Sequence, residues 1–264
     1  PLTRVPSAPP LPLIPPLFVP MRILLHSHTF HPAVGGVETI SATLAATLAS
    51  LGHDVVVVTE VPFNGPNPFP FPVVRNPPRK ELLQLTQDSD VVHSNGASLK
   101  MVPFAFLARK PFLWTHNGYQ VTCIDGLGWD ESGPTPMTPF ASASYHWKRH
   151  GLTYALKGLS KLLVRRFVGK FFAHNAAATH WIAKRQPLPR QVVLYTPYPL
   201  DRFAQPPVNP REVYDFVFVG RLVNEKGVET LLHALALLRD RPHTANARLL
   251  IVGDGPLRPS LEAL

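Results

Sequence analysis

Residues 21–60 read "MRILLHSHTFHPAVGGVETISATLAATLASLGHDVVVVTE", and their periodicity decides the fold. An apolar run, "RILLHS", is followed by a segment in which Ile40, Leu44, Leu48 and Leu51 recur at helical spacing. After Gly52 comes a second apolar run, Val55 to Val58. A glycine just past the last periodic residue stops a helix, and uninterrupted apolar strands belong to a parallel sheet covered on both faces. The stretch therefore predicts a βαβ unit.

Outward from this unit the alternation continues. "FPVVRN" predicts a third strand, "RKELLQLTQ" a helix, "DVVHSNG" a fourth strand, "SLKMVPFAFLARK" a helix and "PFLWTHNG" a fifth strand, while "VPFNGPNPFPFP" is a proline-rich loop. Such alternation implies an α/β fold with a doubly wound sheet, whose ligands bind outside the carboxyl ends of the strands. The stretches at 26–31, 93–96 and 116–119 hold those ends. Residues 145–172 read as one amphipathic helix, and a further strand, helix and strand follow.

The opening residues 1–20 are rich in proline and predict a disordered extension, with the first domain spanning 21–200. Residues 201–213 are polar and proline-rich, as in a linker. The strand pattern then restarts at 214–264 with "YDFVFVGRL", "GVETLLHALALLRD" and "ARLLIVGDG", the βαβ beginning of a second domain of the same kind.

The chain of 264 residues carries a net charge of +9, and between Ser132 and Leu200 ten Lys and Arg residues occur with no Asp or Glu. That asymmetry implies an anionic partner: a phosphate-bearing ligand, a membrane surface or nucleic acid. No apolar run approaches the ~20 residues that span a bilayer. The single cysteine, Cys123, forms no internal disulfide and supplies no Cys-based zinc site, which suits a cytoplasmic location.

In the loop after the first strand, His26, His28 and His31 raise the question of a metal, but that loop offers no Asp, Glu or Cys to complete a ligand set. Gly35 and Gly36 instead allow the backbone to approach an anion at the start of the following helix, where free N–H groups and the dipole attract it. A plain strand-to-helix turn remains the alternative. Neither G-x-G-x-x-G nor G-x-x-x-x-G-K-[ST] is present. In the second unit, Arg221 and Lys226 occupy a glycine-flanked loop, as ordinary solvated cations or as a guanidinium and ammonium pair able to hold a diphosphate. His116 ends the fifth strand, where it either caps the chain or faces a ligand.

The front segment quoted above, "DVVHSNG", "THNG", "TPYPLDRF", "FVGRLVNEKGVETLLHALALL" and "LLIVGDGPLRPSLEAL" together resemble the family-four glycosyltransferases of GT-B architecture. The resemblance implies two Rossmann-like domains, the second of them cut short in this chain, and retaining transfer of a sugar from a nucleotide-diphosphate sugar to an acceptor. That acceptor is a lipid-linked molecule, a small molecule or a polysaccharide. It implies catalytic roles for His116, Arg221 and Lys226, donor phosphates bound by Gly35, Gly36, Arg221 and Lys226, and neither a metal nor a cofactor. A Glu-x7-Glu element that the family carries later in its second domain does not occur here, so the isolated chain is expected to be inactive. Relatives acting on lipid-linked acceptors dock on anionic membranes, for which Lys157, Lys161, Arg165, Arg166 and Phe167 are the candidate contacts, at the inner face of the membrane. A solvated core helix explains the same residues. The competing class is a non-catalytic basic module for nucleic acid or anionic membrane.

Overall fold

The computed structural model describes residues 19–33, 35–130, 132–198 and 214–264. The extension at 1–18 and the linker at 201–213 lie outside the described residues. The chain opens with β1 (Arg22–Ser27), α1 (Gly36–Ser50) and β2 (Asp54–Thr59), then β3 (Val73–Arg75), α2 (Arg79–Asp88), β4 (Val91–Asn95), α3 (Val102–Leu107) and β5 (Phe112–His116). A short hairpin, β6 (Trp129–Asp130) and β7 (Gly133–Pro134), precedes α4 (Pro139–His150) and α5 (Leu152–Phe167). A π-helical turn (Val168–Phe172), β8 (His174–Ala177), α6 (His180–Arg185) and β9 (Gln191–Val193) complete the first unit.

Seven of these strands form one sheet in the order β3-β2-β1-β4-β5-β8-β9, and every pairing is parallel. The winding direction reverses between β1 and β4, which makes their carboxyl ends the topological switch point. Alternation along β1 sorts the core into two layers. Leu24 packs with Val92, Met101, Phe112 and Trp114 on one side. Ile23 and Leu25 pack with Phe30, Ala45 and Val57 on the side of α1. Each of the fully buried Val, Leu, Ile, Phe and Met side chains among them contributes roughly 1.5–3 kcal/mol.

The expected single helix over 145–172 is instead two helices and a π turn. Gly151 stops α4 at φ +88°, a conformation that a β-carbon strains, and α5 then packs back along α4. The β6–β7 hairpin is a finding the sequence did not signal, because two residues per strand are too few to show an alternation. Cys123 is buried beside Asp125, and burial together with that carboxylate pushes its thiol up to about 12.

The second unit consists of β10 (Phe216–Val219), a 3-10 turn (Asn224–Lys226), α7 (Val228–Arg239), β11 (Leu249–Val252) and α8 (Arg258–Glu262). β10 and β11 pair in parallel as a two-stranded sheet. Gly220 and Gly253 close its carboxyl end in direct backbone approach, leaving no room for a β-carbon at Gly253. The β6–β7 hairpin lies against the 3-10 turn and so joins the two units.

Candidate functional site

The carboxyl edge of the large sheet is polar from β1 to β5, which end at Ser27, Thr59, Arg75, Asn95 and His116, because each apolar run ends as the chain leaves the layer between the helices. Asn117 Nδ2 donates to Asn95 Oδ1 (2.7 Å), Asn95 Nδ2 to Ser41 Oγ (2.8 Å), Ser41 Oγ to Ser27 Oγ (2.8 Å), and Ser27 Oγ to the Thr29 carbonyl (2.6 Å). This chain ties β1, α1, β4 and the end of β5 together. Buried groups satisfied in series fix an edge rigidly.

Beyond the ends of β1, β2 and β4, at the switch point, lies a cleft of about 490 Å³ lined by His28, Glu60, Ala97, Lys100, Lys161 and Arg165, among others. Glu60 Oε1 takes hydrogen bonds from His26 Nε2 and Lys100 Nζ, both at 3.1 Å. Burial by itself would raise the Glu60 carboxyl, but His26 and Lys100 outweigh it and hold the group down at about 2. Arg165 is only 8% exposed. Its Nη2 donates to the Ala97 carbonyl at 2.8 Å, while its Nε, like Glu60 Oε2 and His28 Nδ1, is buried without a hydrogen-bond partner. Desolvation lowers the pKa of Arg165 and, with the neighbouring His26, that of His28. The His28 ring lies against Gly96, whose φ of +102° and missing side chain make the approach feasible.

The three histidines of the first loop differ in their surroundings, and His28 Nδ1 and His31 Nδ1 are without a hydrogen-bond partner. His26 uses both ring nitrogens, on Ser94 Oγ and Glu60 Oε1, and His31 sits edge-on between Phe63 and Phe69. Among the described residues no group of His, Cys, Asp and Glu is arranged to hold a metal ion. Gly35 caps α1 with extended backbone, and a β-carbon there would lie 2.5 Å from Glu38 Oε2, so the carboxylate folds over the helix start beside Gly36.

His116 is fully enclosed: its Nε2 pairs with Asn175 Oδ1 at 3.0 Å, its Nδ1 is unpartnered, and burial pushes its pKa down to about 4. Arg221 and Lys226 share the β10–α7 loop, both exposed, with Arg221 Nη2 3.7 Å from Glu225 Oε1. Gly227 at φ +67° turns the chain from the 3-10 turn into α7. Of the basic segment, Lys157, Lys161 and Phe167 are exposed, Arg165 faces the cleft, and Arg166 reaches back to the Val121 carbonyl at 3.0 Å. Arg165 is thus not part of the outer surface. Sequence reasoning missed Glu60 and Lys100, although Glu60 is the first charged residue after "VVVVT" and Lys100 falls in the loop after β4.

Residues 214–264 match the family of group 1 glycosyl transferases. The matched segment contains Arg221 and Lys226. A glycosyltransferase from Rickettsia africae ESF-5 is 16% identical, with 90% of this chain and 69% of that chain covered and a TM-score of 0.48. The catalytic domain of starch synthase IV from Arabidopsis thaliana, bound to ADP and acarbose, is 12% identical over 93% of this chain and 70% of that one, at a TM-score of 0.45. The epimerase Mth375 from Methanothermobacter thermautotrophicus is 15% identical over 60% and 51%, at 0.36. No curated protein matches the chain at a significant level.

Proposed function

We propose that the protein is a metal-independent, retaining glycosyltransferase of family four, using a nucleotide-diphosphate sugar as donor. The observation that carries this reading is the family match over the segment that presents Arg221 and Lys226 on one strand-to-helix loop. A departing diphosphate gains negative charge as the glycosidic bond breaks, and preorganised cations lower the barrier most where charge develops. Arg221 supplies a bidentate fork and Lys226 a point charge. Gly35 and Gly36 offer helix-start amides to the same phosphates, once Glu38 swings aside. Enclosure gives His116 a positioning role at the end of β5, where it locks Asn175.

The acceptor side is assigned to the first unit. With the β10–β11 sheet as open as it is, the isolated chain is proposed to turn over little or no substrate, so the test is binding. UDP, ADP or GDP at millimolar concentration is expected to raise the melting temperature, and Arg221→Ala with Lys226→Ala to abolish the rise. Absence of a rise with every nucleotide, or its survival in the double variant, overturns the reading. DNA binding that follows salt and ignores these substitutions would favour the basic module instead.

A second surface supports peripheral contact with an anionic membrane, at a cytoplasmic face. Along α5, Leu156, Leu163 and Phe167 recur on one exposed stripe that Phe171 extends, flanked by Lys157 and Lys170. Among the described residues no helix is long and apolar enough to cross a membrane. Co-sedimentation with phosphatidylglycerol vesicles that Phe167→Ser with Phe171→Ser removes is the expected result; equal binding to neutral vesicles would end the idea.

A further inference from the structure

We propose that the cleft between the ends of β1, β2 and β4 is a subsite for a phosphomonoester on a polyhydroxylated acceptor, with Lys100, Lys161 and Arg165 holding the phosphate and Glu60 a hydroxyl. The word acceptor rests on the transferase reading; the binding chemistry does not.

Three observations converge on this ligand. The first is charge. The cleft brings three cations to one carboxylate, an excess of two. A phosphomonoester carries about −1.5 to −2 near pH 7 and balances that excess, which a carboxylate or phosphodiester does only by half.

The second is the buried donor. Arg165 is enclosed, fixed through Nη2 on the Ala97 carbonyl, and left with Nε unpaired. A charged donor held out of water without a partner is costly, so an anion that reaches it recovers that cost. Lys161 stands one helical turn before Arg165 on α5, on the rim of the same cleft, while Leu162 between them points into the protein.

The third is Glu60 Oε2, a buried acceptor with no donor. An ionised carboxylate accepts hydrogen bonds and donates none, so it repels phosphate oxygens and selects a hydroxyl beside them. The pairing of anion-binding cations with a hydroxyl-binding carboxylate describes a sugar or polyol phosphate. A volume of about 490 Å³ accommodates a ligand of that size.

Isothermal titration at fixed ionic strength tests the assignment with glucose 6-phosphate, glucose, inorganic phosphate and glycerophosphoinositol, a soluble phosphodiester. Glucose 6-phosphate is expected to bind at least tenfold tighter than each of the other three. Lys161→Gln, at an exposed position that leaves the fold intact, is expected to weaken it at least tenfold, and Glu60→Gln to erase its advantage over inorganic phosphate. Glucose binding as tightly as its phosphate, or unchanged affinity in Lys161→Gln, overturns the proposal. Binding of glycerophosphoinositol as tight as that of glucose 6-phosphate also overturns it, in favour of a lipid-type diester. The Arg221→Ala, Lys226→Ala variant must keep glucose 6-phosphate binding, since its loss would move the phosphate to the second unit. A nucleotide-induced rise in melting temperature without sugar phosphate binding sinks only this subsite. Sugar phosphate binding without any nucleotide response sinks only the transferase reading.

Discussion

The two βαβ units, β1-α1-β2 and β10-α7-β11, are written in nearly the same sequence language and end in different physical states. Both have an apolar strand, a glycine-containing turn, the tripeptide Val-Glu-Thr at the start of a leucine- and alanine-rich helix, and a second apolar strand. Yet Leu25 and Val57 are fully buried, whereas Val217 is 58% and Val219 73% exposed. The first unit is flanked by β3 and β4 and covered on both faces; among the described residues the second pairs only with itself. Local pattern specifies a βαβ unit, and neighbours decide whether it acquires a core.

Truncation at matching positions separates the two units most. Leu25→Ala is expected to cost about 2–5 kcal/mol in chemical denaturation, because it leaves a cavity in a closed layer. Val217→Ala should cost less than about 0.5 kcal/mol, as at other exposed positions. Equal losses would mean that the second sheet is covered on both faces in solution.

Acidification distinguishes the units next. Burial lowers both His93 and His116 to about 4. A histidine kept neutral by the fold contributes stability in full above its unfolded value near 6.5, and loses it as pH falls toward the folded value. A shift of that size is on the order of 3 kcal/mol per histidine at most. Protection of the β4 and β5 amides, corrected for the slower intrinsic exchange at low pH, is therefore expected to fall between pH 6.5 and 4, with that of β10 and β11 changing little. A parallel loss of protection in both units would refute the attribution to these two rings.

A smaller effect sharpens the role of the switch point. Gly96→Ala introduces a β-carbon at φ +102° and against the His28 ring, and should cost roughly 1–3 kcal/mol while weakening sugar phosphate binding. Gly227→Ala, at φ +67° with open space around it, tests backbone strain alone, about 1 kcal/mol. Smallest of all, Glu225→Gln removes an exposed partner of Arg221 and is expected to change stability by less than about 1 kcal/mol.

Much of the site's location was legible. The strand ends that hold His28, Gly96 and His116 follow from apolar runs that stop at polar residues, and the loop cations Arg221 and Lys226 follow from glycine punctuation. What those residues do was not legible. His26, His93 and His116 look alike as strand-end histidines, but the first is bonded by both nitrogens, the second by Thr115 Oγ1 at 2.7 Å, and the third by Asn175, 59 positions away. Arg165 reads as one more cation on a basic amphipathic helix, and the bend at Gly151 with the Arg165 hydrogen bond to the Ala97 carbonyl after β4 turns it inward instead.

By itself the sequence determined the alternation of strands and helices, the doubly wound class, the restart of the pattern at 214 and the positive charge, because each is carried by neighbours along the chain. Only the tertiary structure decided that Glu60, Lys100, Lys161 and Arg165 meet in one cleft and that one βαβ unit is sealed while the other is open. Those outcomes depend on groups brought together across tens to a hundred residues, and burial and pairing energies act through space, without regard to sequence order.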